Sequence, residues 1–401
     1  MSETSVRSGD GSPASMPDPG GQAKESRWAA YLPTVRTTVA AVILALLIGA
    51  VLIIVSTPRV IESLGYFFTY PWDFFRYAGV AVWDGYSALV QGSVGSGASL
   101  ERTLERAAPL ICAGLGVSLA FRSGLFNIGA QGQILVGAVA AGYLGFGVDL
   151  PPGLHVLVGL VGAVVAGAVW GGIAGWLKAQ TGAHEVITTI MLNYVALFLI
   201  LYLLAQEAFQ RSGSDNLLSP PVQRDAAFPQ VFQVHSGVVL AFLAALAVWW
   251  LLERSTLGFE MRAVGANPQA ARTAGMSVSR VYFLALALAG ACAGLAAAMT
   301  VLGQRNPLTD NVAGTVGFDA ITVALLGRAT PLGTVLAGLL FGALSAGGLA
   351  MQAAAGVPPE LAQVLQALIV LFVAAPALVQ AILGVRAEGG GGSVEAKGWG
   401  G

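Results

Sequence analysis

The costliest residues in this chain are polar ones set inside apolar stretches, because a buried amide or carboxylate must find partners or water. The stretch 124–133 carries Asn127, Gln131 and Gln133 among Gly124, Gly129 and Gly132. Glycine lets a backbone or a ligand come close, and an amide offers both donors and acceptors. Three amides in that setting either line a polar path or brace neighbouring helices. A second stretch, 185–194, holds Glu185, Thr188, Thr189 and Asn193, with Asn193 one helical turn beyond Thr189. Glu185 is either a functional carboxylate or a charge favoured at a helix N-terminus. In the third, Gly317 and Asp319 precede an apolar run that ends at Gly327 and Arg328. Asp319 is expected beside a water-filled path, paired with Arg328 or another cation, or at a broken helix end. Glycine-interrupted segments at matching places in two halves point to a midplane site in repeat-built membrane proteins, and the Gly124–Asn127 and Gly317–Asp319 stretches are a candidate pair.

Several other chemistries are excluded by what is missing. Lys24, Lys178 and Lys397 are the lysines, and none follows a glycine, so no Walker A loop exists to cradle nucleotide phosphates. His184 and Glu185 are followed by Val186, Ile187 and Thr188, which lack the second histidine of a zinc protease. No GxSxG elbow is present, and the three histidines (His155, His184, His235) fall at the ends of apolar runs. The expectation is therefore no catalytic centre, no metal and no cofactor. Cys112 and Cys292 lie in apolar stretches and read as small core residues, not as a disulfide. The net charge of −1 argues against nucleic acid as a partner.

A different kind of signal lies in the loop 253–280. Asn267 can cap a helix, Pro268 suits its first turn and Gly275 its end. This spacing predicts a short helix over 268–274 between Gly265 and Gly275. A loose linker needs no such punctuation. A capped helix lying along the membrane surface is the right size to seat in a groove of another protein.

These residues must be positioned by membrane helices. Hydrophobic residues make up 56% of the 401 positions and charged ones only 10%, against about a quarter in soluble domains. Apolar runs long enough for a bilayer recur along the chain. Ten segments are expected, over 37–56, 106–121, 125–147, 154–177, 186–205, 236–252, 280–301, 313–327, 331–351 and 361–382, some broken or re-entrant. The fold class is thus an all-α polytopic membrane protein. The 53 glycines suit close helix approach, with GxxxG spacings at Gly167-Gly171, Gly171-Gly175 and Gly290-Gly294. An inside N-terminus places 13 of the 20 basic residues inside, most clearly at the first helix and in the 253–280 loop, and ten spans return the C-terminus inside. The tail 1–35 and the glycine-rich tail 385–401 read as disordered, flanking a membrane domain over 36–384. The first apolar run reads as a retained anchor, not a signal peptide. Outside, the aromatics from Tyr66 to Tyr77 suggest a helix in the interface plane, and the proline-containing loop 206–236 can cap helices or meet an external partner.

With these residues in hand, the chain resembles permease subunits of ATP-binding-cassette importers, in the branched-chain amino acid/ribose/simple-sugar permease family and nearest its nucleoside-type branch. The resemblance covers 104–383. It rests on the 120–133 block with Asn127, Gln131 and Gln133, the 185–194 block, the loop from Arg262 through Gly265, Asn267, Ala270, Ala271 and Gly275, and the 317–333 block with Asp319. The family often has Glu where this chain has Gln131. The resemblance implies a cytoplasmic ATPase subunit as motor, a second and different permease subunit, an external substrate-binding lipoprotein and lipid around the whole, in the inner membrane. It implies a path lined by Asn127, Gln131, Gln133, Asn193 and Asp319, and coupling through Gly265, Asn267, Ala270, Ala271 and Gly275. The expected cargo is a nucleoside, with ribose or another simple sugar as the alternative. An ion-coupled secondary transporter would instead use Asp319 and Glu185 as coupling carboxylates.

Overall fold

The computed structural model describes residues 27–375 except Asp215 and Phe232, together with Leu378, Val379 and Ile382. The tails expected to be disordered lie largely outside the described residues. Helix α1 runs Arg27–Ser56, so it begins within the stretch read as the N-terminal tail. Then come α2 (Pro58–Leu64), α3 (Pro71–Val94), α4 (Gly97–Arg122) and α5 (Ala130–Phe146). Next are α6 (Leu154–Thr181), α7 (Glu185–Leu204) and α8 (Gly237–Arg254), with a two-residue hairpin of β1 (Gln230–Val231) and β2 (Val234–His235) before α8. The rest are α9 (Thr256–Ala266), α10 (Pro268–Thr273), α11 (Val278–Ala298), α12 (Val316–Leu326), α13 (Pro331–Ala355) and α14 (Pro359–Ala374). A π turn, Met299–Gly303, extends α11.

Local chemistry sets many of these boundaries. Prolines open α2, α3, α10, α13 and α14, where a missing N–H costs nothing. Ser96, Ser255 and Thr330 accept from the backbone of the first turns of α4, α9 and α13. Gly182 and Gly356 end α6 and α13 in the left-handed conformation, which glycine adopts without a Cβ penalty.

Seven helices are long and apolar enough to cross a membrane: α1 from Val39, α4, α6, α7, α8, α11 with its π turn, and α13. Ala130–Phe146, Val316–Leu326 and Glu360–Val373 are shorter apolar helices. The chain is an all-α polytopic membrane protein. At its centre stands α4, whose most apolar stretch is 78% buried, against 22% for α1 and α7. On the outside, Val161, Val165 and Val169 of α6 and Met191, Val195 and Phe198 of α7 stay exposed, as lipid-facing side chains would.

The α6–α11 contact explains the glycine spacings. A Cβ on Gly290 would lie 2.0 Å from the Gly167 carbonyl oxygen, and one on Gly171 would lie 2.2 Å from that of Leu286. The two backbones therefore touch, which only glycine permits.

Three elements differ from the sequence reading. Helix α4 starts at Gly97, not near 106, because the charged stretch with Glu101, Arg102 and Glu105 is helical too. The aromatic stretch is a turn at 65–69 followed by α3, which runs on to Val94 and packs Gly92 on Ala350 of α13. The 253–280 loop contains a full helix, α9, ahead of the expected short one.

Candidate functional site

A cavity of about 800 Å³ opens among α4, the end of α11, the segment 304–315, α12, α13 and α14. Its polar wall includes Arg106, Gln304, Asn311, Asp319, Gln363 and Gln366. The size falls in the range of small-molecule sites, and the mix of apolar wall and a few polar groups is what such sites show. Asp319 sits in the first turn of α12, where Thr315 Oγ1 donates to its carboxylate at 2.7 Å. Arg106 donates from Nη1 to Ser345 Oγ at 3.1 Å. The ion pairs among the described residues are Lys178–Glu185 and Arg262–Glu253, so neither Asp319 nor Arg106 has a charged partner within them. An acid and a cation thus face one cavity, where the carboxylate can accept from a ligand's hydroxyl or amine and the guanidinium can donate to its hydroxyl or ring acceptor.

Of the five residues expected on a path, the cavity wall holds Asp319; the four amides stand behind it. Asn127 and Gln133 are buried and exchange amide hydrogen bonds of 3.2 and 3.3 Å, while Asn127 Oδ1 also accepts from Gly129 N at 2.9 Å. Asn193, reaching over from α7, accepts from Gly132 N at 2.8 Å and donates to the Ile128 carbonyl at 2.9 Å. Gln131 donates to the Gly314 carbonyl at 2.8 Å and accepts from Gly317 N at 3.0 Å. The first turns of α5 and α12 lack intrahelical acceptors, and these amides supply them. They hold the broken start of α5 and tie it to the start of α12, whose first residues line the cavity. Glu185 is buried at the start of α7 and pairs with Lys178 at 2.7 Å across the α6–α7 turn.

The opposite end of the molecule carries α9 and α10. Helix α11 and its π turn span 26 residues, roughly 39 Å at 1.5 Å per residue, which separates Gln304 from α10 by that length. Asn267 Oδ1 accepts from the N–H groups of Gln269 and Ala270, each at 3.0 Å. Ala271 is 4% exposed and anchors α10, while every other residue from Ala266 to Gly275 is exposed. Ala270 is thus presented outward. Gly275, with φ +87°, turns the chain so that Met276 N donates to the Ala271 carbonyl. The expected helix is present as Pro268–Thr273, with Ala274 as its cap. Gly265 is pressed against the end of α4, where an added Cβ would lie 2.2 Å from the Arg122 carbonyl oxygen.

Sequence reasoning did not single out Arg106, Arg122 or His235. Arg106 is only the first residue of the expected segment 106–121, and nothing in its local sequence says that a cavity lies beside it. Arg122 donates from Nε to the Ala329 carbonyl at 2.9 Å, which no local pattern foretells. His235 is 2% exposed and stacked on Phe228, neither ring nitrogen has a hydrogen-bond partner among the described residues, and burial holds its pKa below the ordinary 6.5.

Residues 99–374 match the family described as branched-chain amino acid transport system / permease component. The chain is 41% identical to a guanosine ABC transporter permease of Bacillus subtilis over 77% of its own length and 90% of that protein's. It is 38% identical to a glucose ABC transporter permease of Haloferax volcanii, covering 72% and 79% of the two chains. A nucleoside ABC transporter permease of Lactococcus lactis is 33% identical, with 75% and 86% covered. Membrane helices throughout, a polar cavity at one end, a capped helix presented at the other and a match over most of its length together say that this chain belongs to the family of branched-chain amino acid transport system permease components.

Proposed function

We propose that the chain is the permease subunit of an ATP-binding-cassette importer that moves a nucleoside across the inner membrane. The observation that carries the reading is the exposed, capped helix α10, seated beside Gly265 and joined through one bundle to a polar cavity. An exposed helix with a single buried anchor suits a groove in a separate motor, and the sequence has no Walker A loop of its own. A cytoplasmic ATPase would drive α10 through Gly265, Asn267, Ala270, Ala271 and Gly275. A second, different permease subunit and an external substrate-binding lipoprotein complete the assembly. The seven long and three shorter apolar helices make ten membrane segments within a domain over 36–384, with both termini cytoplasmic.

The path runs through the cavity, with Asp319 on its wall and Asn127, Gln131, Gln133 and Asn193 as the frame that sets it. Neutral amides and one carboxylate suit the hydroxyls and ring nitrogens of a nucleoside. Two of the three relatives are named for nucleosides or guanosine, and the glucose permease keeps a simple sugar as the second reading.

The test is reconstitution of the chain with its ATPase, second permease and binding protein in liposomes. ATP-dependent uptake of labelled nucleosides, outcompeting ribose and glucose, is expected. Sugar uptake alone replaces the cargo, and uptake by this chain alone on a proton or sodium gradient overturns the importer reading.

A further inference from the structure

Helix α12 is held at both ends by the segment 122–131, which runs from the last residue of α4 into the first turn of α5. At its start, the Gln131 amide donates to the Gly314 carbonyl just before the helix and accepts from Gly317 N within the first turn. Contact there is backbone to backbone, since a Cβ on Gly317 would lie 2.4 Å from the Gln131 Cα. At its end, Arg122 Nε donates to the Ala329 carbonyl at 2.9 Å. The turn it grips is unusual: Arg328 and Ala329 both take left-handed conformations, φ +52° and +48°, which L-residues adopt only where their surroundings enforce them. Ala329 N donates to the Ala324 carbonyl at 2.8 Å, closing the turn beneath α12.

That same segment carries the end of α9. A Cβ on Gly265 would lie 2.2 Å from the Arg122 carbonyl oxygen and 3.0 Å from Gly124 N, and Gly124 has φ +74°. Two residues beyond Gly265 stands Asn267, the cap of α10. Gly265, two residues before the cap of α10, thus rests on the backbone of Arg122, and the side chain of that residue holds the far turn of α12. The other side of α12 faces the cavity through Thr315, Asp319 and Thr322, spaced as one helical face.

We propose that Arg122 is a positioning residue that transmits displacement of α9 and α10 to α12. Helix α12 then moves as a short rigid rod between its Gln131 and Arg122 attachments and changes the cavity wall that bears Asp319. The proposal rests on the reading that an ATPase drives α10. The decisive quantity is the ratio of cargo moved to ATP hydrolysed.

The experiment compares the complete transporter in liposomes with and without Arg122→Ala and Arg122→Lys. Arg122→Ala should assemble and hydrolyse ATP, yet move about tenfold less nucleoside per ATP, a change within the usual range of coupling between sites. Arg122→Lys keeps the charge but lacks the Nε fork, and should fall between. A ratio equal to that of the unsubstituted complex, or hydrolysis and uptake falling in one proportion, overturns the relay. Absence of ATP-driven uptake in the unsubstituted complex overturns the importer reading itself. A second measurement does not depend on the arginine variants folding. Maleimide labelling of Thr322→Cys in the otherwise native complex should differ by several-fold between nucleotide-free and ATP-bound states, and equal labelling overturns the movement of α12.

Discussion

Asn267 does two jobs with one side chain. Its oxygen takes up the two leading N–H groups of α10, and its extended backbone breaks the chain direction between α9 and α10. A six-residue helix is too short to persist alone in water, so the cap and the buried Ala271 decide whether it exists. Removing such a cap costs about 1 kcal/mol, roughly a factor of five in a local equilibrium. Asn267→Ala is therefore expected to lower ATP-driven uptake about fivefold with unchanged thermal stability, while Asn267→Asp keeps the cap and most of the uptake. Transport assays on both variants beside a melting curve check this. At Glu185 the structure favours the simple role: the carboxylate sits at a helix start and pairs with Lys178, the lysine of the preceding helix's last turn.

At the scale of elements, the α6–α11 pair is a backbone-to-backbone contact that depends on small residues. Gly167, Gly171, Gly290 and Gly294 bring the two backbones together, and lipid offers no hydrophobic drive to replace that packing. Gly290→Leu must push the helices apart. A cost of about 2–3 kcal/mol is expected from overpacking, read as a lowered Tm of the detergent-solubilised protein. Gly79→Ala on α3 is the control, because nothing lies within 4 Å of its Cβ position. An equal loss in both would mean that glycine content matters and not this contact. The short helices are equally specific: α5 and α12 are bound to each other at their starts by Gln131, and neither of those starts is exposed to lipid as a bare row of N–H groups.

For the whole molecule, the arrangement is a polar cavity at one end, a presented helix at the other and α4 buried between them. Asp319 is the acid on the cavity wall, and a hydrogen bond to a charged group contributes about 1.5–3 kcal/mol. Asp319→Asn preserves size and removes the charge, so the concentration of nucleoside for half-maximal uptake should rise about tenfold or more. Unchanged uptake would reduce Asp319 to a partner of Thr315 within the first turn of α12. The exposed apolar faces of α6, α7 and α8 are the surface such helices turn to lipid.

What the sequence by itself determined is local. Length and apolarity of a run decide whether it can be a membrane helix: each of the ten expected segments overlaps a helix of the structure, and seven of those helices are long and apolar enough to cross. Capping is also local, which is why Asn267, Pro268 and Gly275 announced α10 to within a residue. Helices α3 and α9 were hidden because Asp73, Arg76 and Asp84 in one, and Glu260 and Arg262 in the other, break the apolar signal without breaking the helix. The sequence left the amides open between lining a path and bracing helices. Only the tertiary structure decided where they point, since Gln131 finds its partners at Gly314 and Gly317, and Asn193 finds its own on α5 and the turn before it. The cavity, too, is tertiary. Its wall draws on segments from Arg106 to Leu371, and no spacing along a chain encodes a void that exists only once distant helices have packed.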